Sequence, residues 1–276
     1  MVTTWIGSIE AITVSDGGIG SDPARMFGRE GLEQFRAAVQ VNAEGKVPLD
    51  INCLLIRMGD RRILLDTGTG RDDPPSFGGR FGESSGKLVE NLARIGVQAG
   101  DIDTVIVSHA HGDHIGGATV RSGDGWAPTF PKADYWLWKG EYDYWTQPDV
   151  IKDFPDLRNK LVPLHELGRL KLLDSEKEIA PGIRIIASPG HTPGHMCTAL
   201  TGGGKMAIYT GDLVHHAAQL EHPEWSPGFD VLPQMSAESR RKILAEAIRT
   251  NAVLLTAHLN APGHACADAH GTWRPV

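Results

Sequence analysis

Four residues able to bind a metal ion stand within six positions: His109, His111, Asp113 and His114. In an extended segment, side chains at i, i+2 and i+4 project to one side, so His109, His111 and Asp113 can converge on one point. His114 must then aim elsewhere unless the chain turns, and Gly112, Gly116 and Gly117 supply that freedom. So many ligands in so short a span suggest two neighbouring metal positions, which in dinuclear catalysts lie about 3.5–4 Å apart. Further candidates follow at His191 and His195 in SPGHTPGH, at Asp212 in TGD and at His258 in TAH. A lone histidine is more often a packed or surface residue; these gain weight from where they stand.

They stand at the ends of apolar runs. RRILLD (61–66) ends on Asp66, TVIVS (104–108) runs into His109, and IRIIAS (183–188) leads to His191. MAIYT (206–210) leads to Asp212 and AVLLT (252–256) to His258. These runs are short and rich in Val and Ile, as buried strands are. INCLLIRM (51–58) joins RRILLD through Gly59-Asp60, the signature of a tight hairpin. Helical spacing aligns Leu32, Phe35 and Val39, and also Leu88, Leu92 and Ile95, with Ser84 or Ser85 as cap and Gly96 as stop. A third helix is predicted from about Ala237 to Thr250 behind Ser236 as N-cap, burying Ile243, Leu244, Ala247 and Ile248. Strands alternating with helices, plus hairpins, indicate a mixed α/β sandwich. Residues 67–86 are turn-forming throughout, and so long a loop is usually functional or mobile.

The 276 residues carry a formal net charge of −7, with no basic run to grip nucleic acid or an anionic membrane. Neither a leader-like N-terminus nor an apolar stretch of about 20 residues is present, so a soluble, cytoplasmic protein is expected. Cys53, Cys197 and Cys266 are scattered and odd in number, which fits three thiols in a reducing compartment.

With these motifs assembled, the chain resembles the metallo-β-lactamase superfamily, whose H-x-H-x-D-H motif stands here at 109–114. LLDTG at 64–68, PGH ending at His191, GD ending at Asp212 and AH ending at His258 follow in the family's order. The resemblance implies a single domain over 1–276 with a four-layer αβ/βα sandwich fold and the metals at one edge. It implies that His109, His111 and His191 hold one metal, that Asp113, His114 and His258 hold the other, and that Asp212 bridges them. Asp66 would fix the tautomer of a ligand histidine, and His195 would sit close behind His191 without ligating. Two divalent cations, zinc by resemblance although iron, manganese or cobalt also suit these ligands, would turn a shared water into a hydroxide nucleophile.

The branch resembled is that of N-acyl homoserine lactonases and methyl parathion hydrolase. The expected reaction is therefore opening of lactones or cleavage of carboxylic esters. Hydrolysis of organophosphate triesters is the alternative, and a non-enzymatic metal-binding sensor a remote one. Many lactonases place a Tyr three residues after the bridging Asp; here that residue is His215, a candidate to hydrogen-bond the substrate or leaving group. The expected partner is a small-molecule substrate, and a homodimer would be in keeping with the family. The aromatic run from Tyr135 to Trp145 is read as core packing, whereas Phe27, Phe77 and Phe81 could form an apolar lid. His264, Cys266, Asp268 and His270 mimic a further metal site but read better as a terminal hairpin, with Thr272, Trp273 and Arg274 returning.

Overall fold

The computed structural model describes residues 1–35, 39–71, 81, 84–259, 264–268 and 271–276. Two antiparallel strands open the chain, β1 (Val2–Ile6) and β2 (Ile9–Ser21). Helix α1 (Pro23–Phe35) follows, broken at Gly28, whose φ of 67° lies outside helical space. Of the expected face, Leu32 and Phe35 lie within this helix and Val39 lies beyond it, while residues 36–38 fall outside the described residues. Next come β3 (Val47–Met58) and β4 (Arg61–Leu65), paired through the expected Gly59-Asp60 turn, with Gly59 at φ 58°.

Helix α2 (Leu88–Arg94) starts at Lys87 and ends before Gly96, as the spacing predicts, but neither Ser84 nor Ser85 caps it. Its first buried N–H, on Leu88, donates instead to Asp16 Oδ1 at 2.8 Å. Strand β5 (Thr104–Ile106) pairs in parallel with β4. A one-turn helix α3 (Gly112–Ile115) and the ribbon of β6 (Thr119–Ser122) and β7 (Gly125–Pro128) lead to β8 (Asp134–Trp138). Three helices follow, α4 (Lys139–Trp145), α5 (Pro148–Ile151) and α6 (Pro155–Glu166), and then β9 (Leu170–Leu173). The first sheet has the order β1-β2-β3-β4-β5-β8-β9.

The second sheet comprises β10 (Glu178–Ala180), β11 (Ile183–Ala187), β12 (Met196–Gly202), β13 (Lys205–Tyr209), β14 (Val253–Leu255), β15 (His264–Ala267) and β16 (Trp273–Pro275), ordered by number. Between β13 and β14 run α7 (Ala218–Glu221) and α8 (Pro233–Thr250). Helix α8 begins a turn earlier than predicted because Pro233 occupies its first position, where a missing N–H costs nothing. Ser236 is consequently inside the helix, where its hydroxyl accepts from Arg240, and Ile248 is 42% exposed rather than buried. In the expected terminal hairpin β15 and β16 pair antiparallel and His264 is held by the Thr4 and Thr13 hydroxyls, while His270 lies outside the described residues.

Four layers result. One core lies between the sheets, where Leu54, Ile56 and Ile63 of the first sheet meet Ile183, Leu200 and Tyr209 of the second. The outer face of the first sheet is covered by α2, α4 and α6 through Leu92, Trp145 and Leu161. The outer face of the second is covered by α8 through Ile243, Leu244 and Ala247. This is the αβ/βα sandwich expected. Tyr135, Leu137 and Trp145 are buried in the first outer core, so the aromatic run packs as read. No helix among the described residues is long and apolar enough to cross a membrane.

Candidate dinuclear metal centre

The site forms where strands of both sheets stop. After β5 the chain bends at Ser108, reaches His111 in extended backbone (φ −72°, ψ 154°), then turns helical at Gly112. That turn alters the geometry expected for an all-extended segment: Asp113 leaves the His109/His111 side and faces His258, with Oδ2 3.5 Å from His258 Nε2 and 3.8 Å from His114 Nε2. His191 follows β11, Asp212 follows β13 and His258 follows β14. Close backbone approach is required here. A Cβ on Gly211 (φ 50°) would meet His195 Nε2 and Ser108 Cβ at 2.8 Å, so the Asp212 loop rests directly on its neighbours.

The Asp212 carboxylate lies between two groups of donors. Its Oδ2 is 3.1 Å from His191 Nε2 and 3.6 Å from His109 Nε2, while Oδ1 is 2.9 Å from both His114 Nε2 and His258 Nε2. His191 Nε2 is also 2.9 Å from His111 Nδ1 and 3.1 Å from His109 Nε2. His109, His111, His191 and Asp212 form one set of converging donors; Asp113, His114 and His258 form another. Imidazole nitrogens crowded in this way cannot all satisfy one another with hydrogen bonds. His114 Nε2 and Asp212 Oδ1 are indeed buried without a hydrogen-bond partner. Buried polar groups normally have one, and a cation in each set would supply it. The donors fit two metal ions.

Burial opposes ionisation of Asp212, yet the imidazoles of His114, His258 and His215 hold its carboxyl well below the usual range. Burial pushes His195 down to about 3 and His215 down to about 4, so both rings are neutral. His195 Nε2 accepts the Asp212 backbone N–H at 3.1 Å, and its Nδ1 lies 3.1 Å from the Ser188 carbonyl. It therefore orients Asp212, with its ring 5.9 Å from that of His191. His215 stacks on His258 with an interplanar angle of 11°, and its Nε2 lies 3.0 Å from Asp212 Oδ2. Asp66 sits behind His114, with Oδ2 2.8 Å from His114 Nδ1 and accepting the Tyr209 hydroxyl at 2.9 Å. Ser108 donates to it twice, from its N–H to Oδ1 at 2.7 Å and from its hydroxyl to Oδ2 at 2.8 Å. Asp66 has φ 60°, a conformation costing about 1–3 kcal/mol in a residue other than glycine. These hydrogen bonds and its place behind His114 explain why the strain persists.

Three carboxylate arrangements escape sequence reasoning. Asp230 Oδ1 lies 2.8 Å from His191 Nδ1, and Oδ2 is 3.6 Å from the buried guanidinium of Arg240. Glu141 on α4 accepts N–H groups from Ala110 at 2.8 Å and Gly194 at 2.9 Å, plus the Trp145 indole at 2.6 Å. It thus joins the loop bearing His109 and His111 to the loop bearing His191. Asp16 accepts from Thr69, Gly86 and Leu88 and so ties together the flanks of the long turn-forming loop. Of the expected lid residues, Phe27 packs edge-on against His216 at 5.0 Å, whereas Phe77 lies outside the described residues. Phe81 is held by its backbone, with its carbonyl accepting the Ser85 hydroxyl at 3.2 Å.

The family model described as "Metallo-beta-lactamase superfamily" matches residues 47–258. An N-acyl homoserine lactonase of Bacillus sp is 25% identical over 206 residues, covering 70% of this chain and 76% of that one. The solved structure of AidC, described as a dizinc quorum-quenching lactonase in complex with a product, aligns with TM-score 0.83 and 27% identity over 100% of this chain and 97% of that one. A probable metal-dependent hydrolase from Staphylococcus aureus shares the fold, with TM-score 0.86 at 23% identity over 98% and 96% of the two chains. Family match, four-layer fold and the two donor sets agree: the chain belongs to the metallo-beta-lactamase superfamily.

Proposed function

We propose that this protein is a dinuclear metal-dependent hydrolase that opens lactones or cleaves carboxylic esters. The observation that carries the reading is Asp212, whose two carboxylate oxygens each face a separate cluster of imidazoles. His109, His111 and His191 would hold one ion, Asp113, His114 and His258 the other, and Asp212 would serve both. Zinc is the proposed metal: borderline imidazole-rich ligands suit it, and the similar AidC is described as dizinc. When bound, such a pair supplies an acidified water and polarises a carbonyl oxygen.

The chain's own residues do the rest. Asp66 and Asp230 each accept a ring N–H from a ligand histidine, so that the opposite nitrogen presents its lone pair to the site. His195 accepts the Asp212 N–H and fixes the carboxylate's backbone. His215 Nε2 is directed at Asp212 Oδ2, and its Nδ1 is buried without a partner; with its one proton facing the carboxylate, this neutral ring offers Nδ1 as an acceptor, suited to a hydrogen bond from the substrate or the released hydroxyl. Residues 1–276 act as one unit in this reading, because loops of both sheets supply donors. The substrate is a small organic ester, and nothing in the site calls for nucleic acid or a membrane.

The test combines metal analysis with assays of lactones, aryl esters and a phosphotriester on one preparation, with His109→Ala as control. About two metals per chain and lactone or ester turnover abolished by the substitution are expected. Substoichiometric metal, or turnover indifferent to His109→Ala, would overturn the reading, and phosphotriester turnover far above lactone turnover would replace the substrate class.

A further inference from the structure

Asp16 stands at the bulge of β2, where the register with β3 shifts between Ser15 and Gly17, and its side chain is fully buried. Bulges re-aim side chains in this way. Four donors meet the carboxylate. Its Oδ2 accepts the Thr69 N–H at 2.9 Å, the Thr69 hydroxyl at 2.9 Å and the Gly86 N–H at 3.1 Å, and its Oδ1 accepts the Leu88 N–H at 2.8 Å. Burial pushes the carboxyl up, while these donors oppose the push. Because both oxygens accept, an amide cannot take its place: the NH₂ of an asparagine would face a donor in either orientation.

These bonds reach toward the metal centre along one stretch of backbone, from Asp66 to Thr69. Its start is fixed by the Asp66 N–H, which donates to the Ile106 carbonyl at 2.9 Å, and its end by Thr69 on Asp16. Between them Thr67 gives both its N–H and its hydroxyl to the His114 carbonyl, each at 2.7 Å, and the Gly68 carbonyl accepts the Gly117 N–H at 3.0 Å. The fit is close, since a Cβ on Gly117 would come within 2.1 Å of the Thr67 carbonyl oxygen. The helical turn that carries Asp113 and His114 therefore rests on this stretch, and the same stretch delivers Asp66 to His114 Nδ1. A shift of Thr69 is passed to both.

We propose that Asp16 is a positioning residue of the metal centre, acting through Thr69 and Thr67 on the donors Asp113 and His114, an inference that rests on the dinuclear hydrolase reading above. Its influence falls on the position formed by Asp113, His114 and His258. The position formed by His109, His111 and His191 has other supports, in Glu141 and Asp230.

The test uses the full chain loaded with zinc. Asp16→Asn keeps the shape of the side chain and sets one donor against another. In chelator competition the metal held with His114 is expected to bind about tenfold more weakly while the other stays tight. Combined with Asp66→Asn, the substitution is expected to lower that affinity by less than the product of the separate effects, because both act through one stretch of backbone. Thr69→Val removes one hydroxyl and keeps the volume; it serves where Asp16→Asn does not fold, with about threefold weakening expected at the same position. A merely structural role would lower Tm and leave the two affinities in their wild-type ratio. That ratio unchanged in folded Asp16→Asn, or in Thr69→Val, would overturn the proposal.

Failure of the hydrolase reading is distinct: the wild type then lacks a second bound metal or shows no metal-dependent turnover, and hydrogen exchange in the metal-free protein still decides the role of Asp16. There the Thr67 amide is expected to exchange about tenfold faster in Asp16→Asn, with the Leu200 amide of β12 unmoved. Thr67 protection equal to that of the wild type would overturn the proposal.

Discussion

His191 Nδ1 and Asp230 Oδ1 lie 2.8 Å apart, with both side chains fully buried. Asp230 is held in turn by Arg240, whose guanidinium donates to the carbonyls of Leu213, Pro223 and Trp225 and to the Ser236 hydroxyl. Helix α8 thus orients a candidate ligand of one proposed metal position through a relay of two buried charges. The other position has separate support, from Asp66 behind His114 and from the Asp50 carbonyl, 2.7 Å from His258 Nδ1.

Separate supports make the positions separable. Asp230→Asn retains an oxygen for His191 but loses the charge, and it is expected to weaken binding of one metal about tenfold while the second stays tight. Asp66→Asn, which keeps a residue tolerant of the left-handed backbone, is expected to weaken the metal held with His114 instead. Chelator competition on each variant reads this directly. Equal loss of both metals in each variant would show that the supports do not act separately.

Glu141 is expected to matter to the fold and to the site together. Its carboxylate is fully buried and receives three N–H donors from α4, the His109 loop and the His191 loop. A Cβ on Gly194 would come within 2.2 Å of Glu141 N, so the two segments are in direct contact. Glu141→Gln replaces one accepting oxygen by an NH₂ that faces a donor. Urea unfolding of the metal-free protein is expected to show a loss of about 2 kcal/mol, and chelator competition a weaker metal at the His109/His111/His191 position. A stability within about 0.5 kcal/mol of wild type would contradict the joint.

What the sequence disclosed and what it withheld differ in a physical way. The candidate donors His109, His111, Asp113 and His114 were legible because they crowd into six positions, and His191, Asp212 and His258 because each follows an apolar strand run; both signals survive without tertiary knowledge. Asp230 and Glu141 were not, because a buried acid that orients a ligand has the same local surroundings as an acid on a solvated face. Only the packing of α8 and α4 separates the two. Strand β2 was missed for another reason: its Ser15-Asp16-Gly17-Gly18 segment is turn-like in composition, yet it stays paired across a bulge with Gly17 at φ 126°. The start of α8 was misplaced because Ser236 looks like a cap while Pro233 takes the first position.

The cysteines give a prediction independent of metal. Cys53 and Cys197 are fully buried thiols, and burial pushes Cys197 up to about 12 and Cys53 well above its ordinary value. Only thiolate reacts, so alkylation of the native protein at about pH 8 is expected to label Cys266 alone and all three thiols after unfolding. The sign for stability follows from the raised values. The contribution is full below the unfolded value of 9.0 and is lost as pH rises through the folded one. Rapid labelling of Cys197 in the native state would contradict its burial.

Metal removal is expected to loosen the contact between the sheets. His109, His111 and His114 follow a strand of the first sheet, and His191, Asp212 and His258 follow strands of the second. A pair of ions held by both groups therefore cross-links the two sheets at one edge. Ions that bind the folded chain and not the unfolded one stabilise it by mass action, by about 4 kcal/mol at free metal a thousandfold above Kd. Chelation is expected to lower Tm and zinc to restore it. In His258→Ala, which takes a second-sheet donor from one position, the zinc-dependent rise is expected to shrink. A Tm unmoved by chelation, with metal loss verified on the same sample, would mean that the two sheets hold their relation by the apolar core alone.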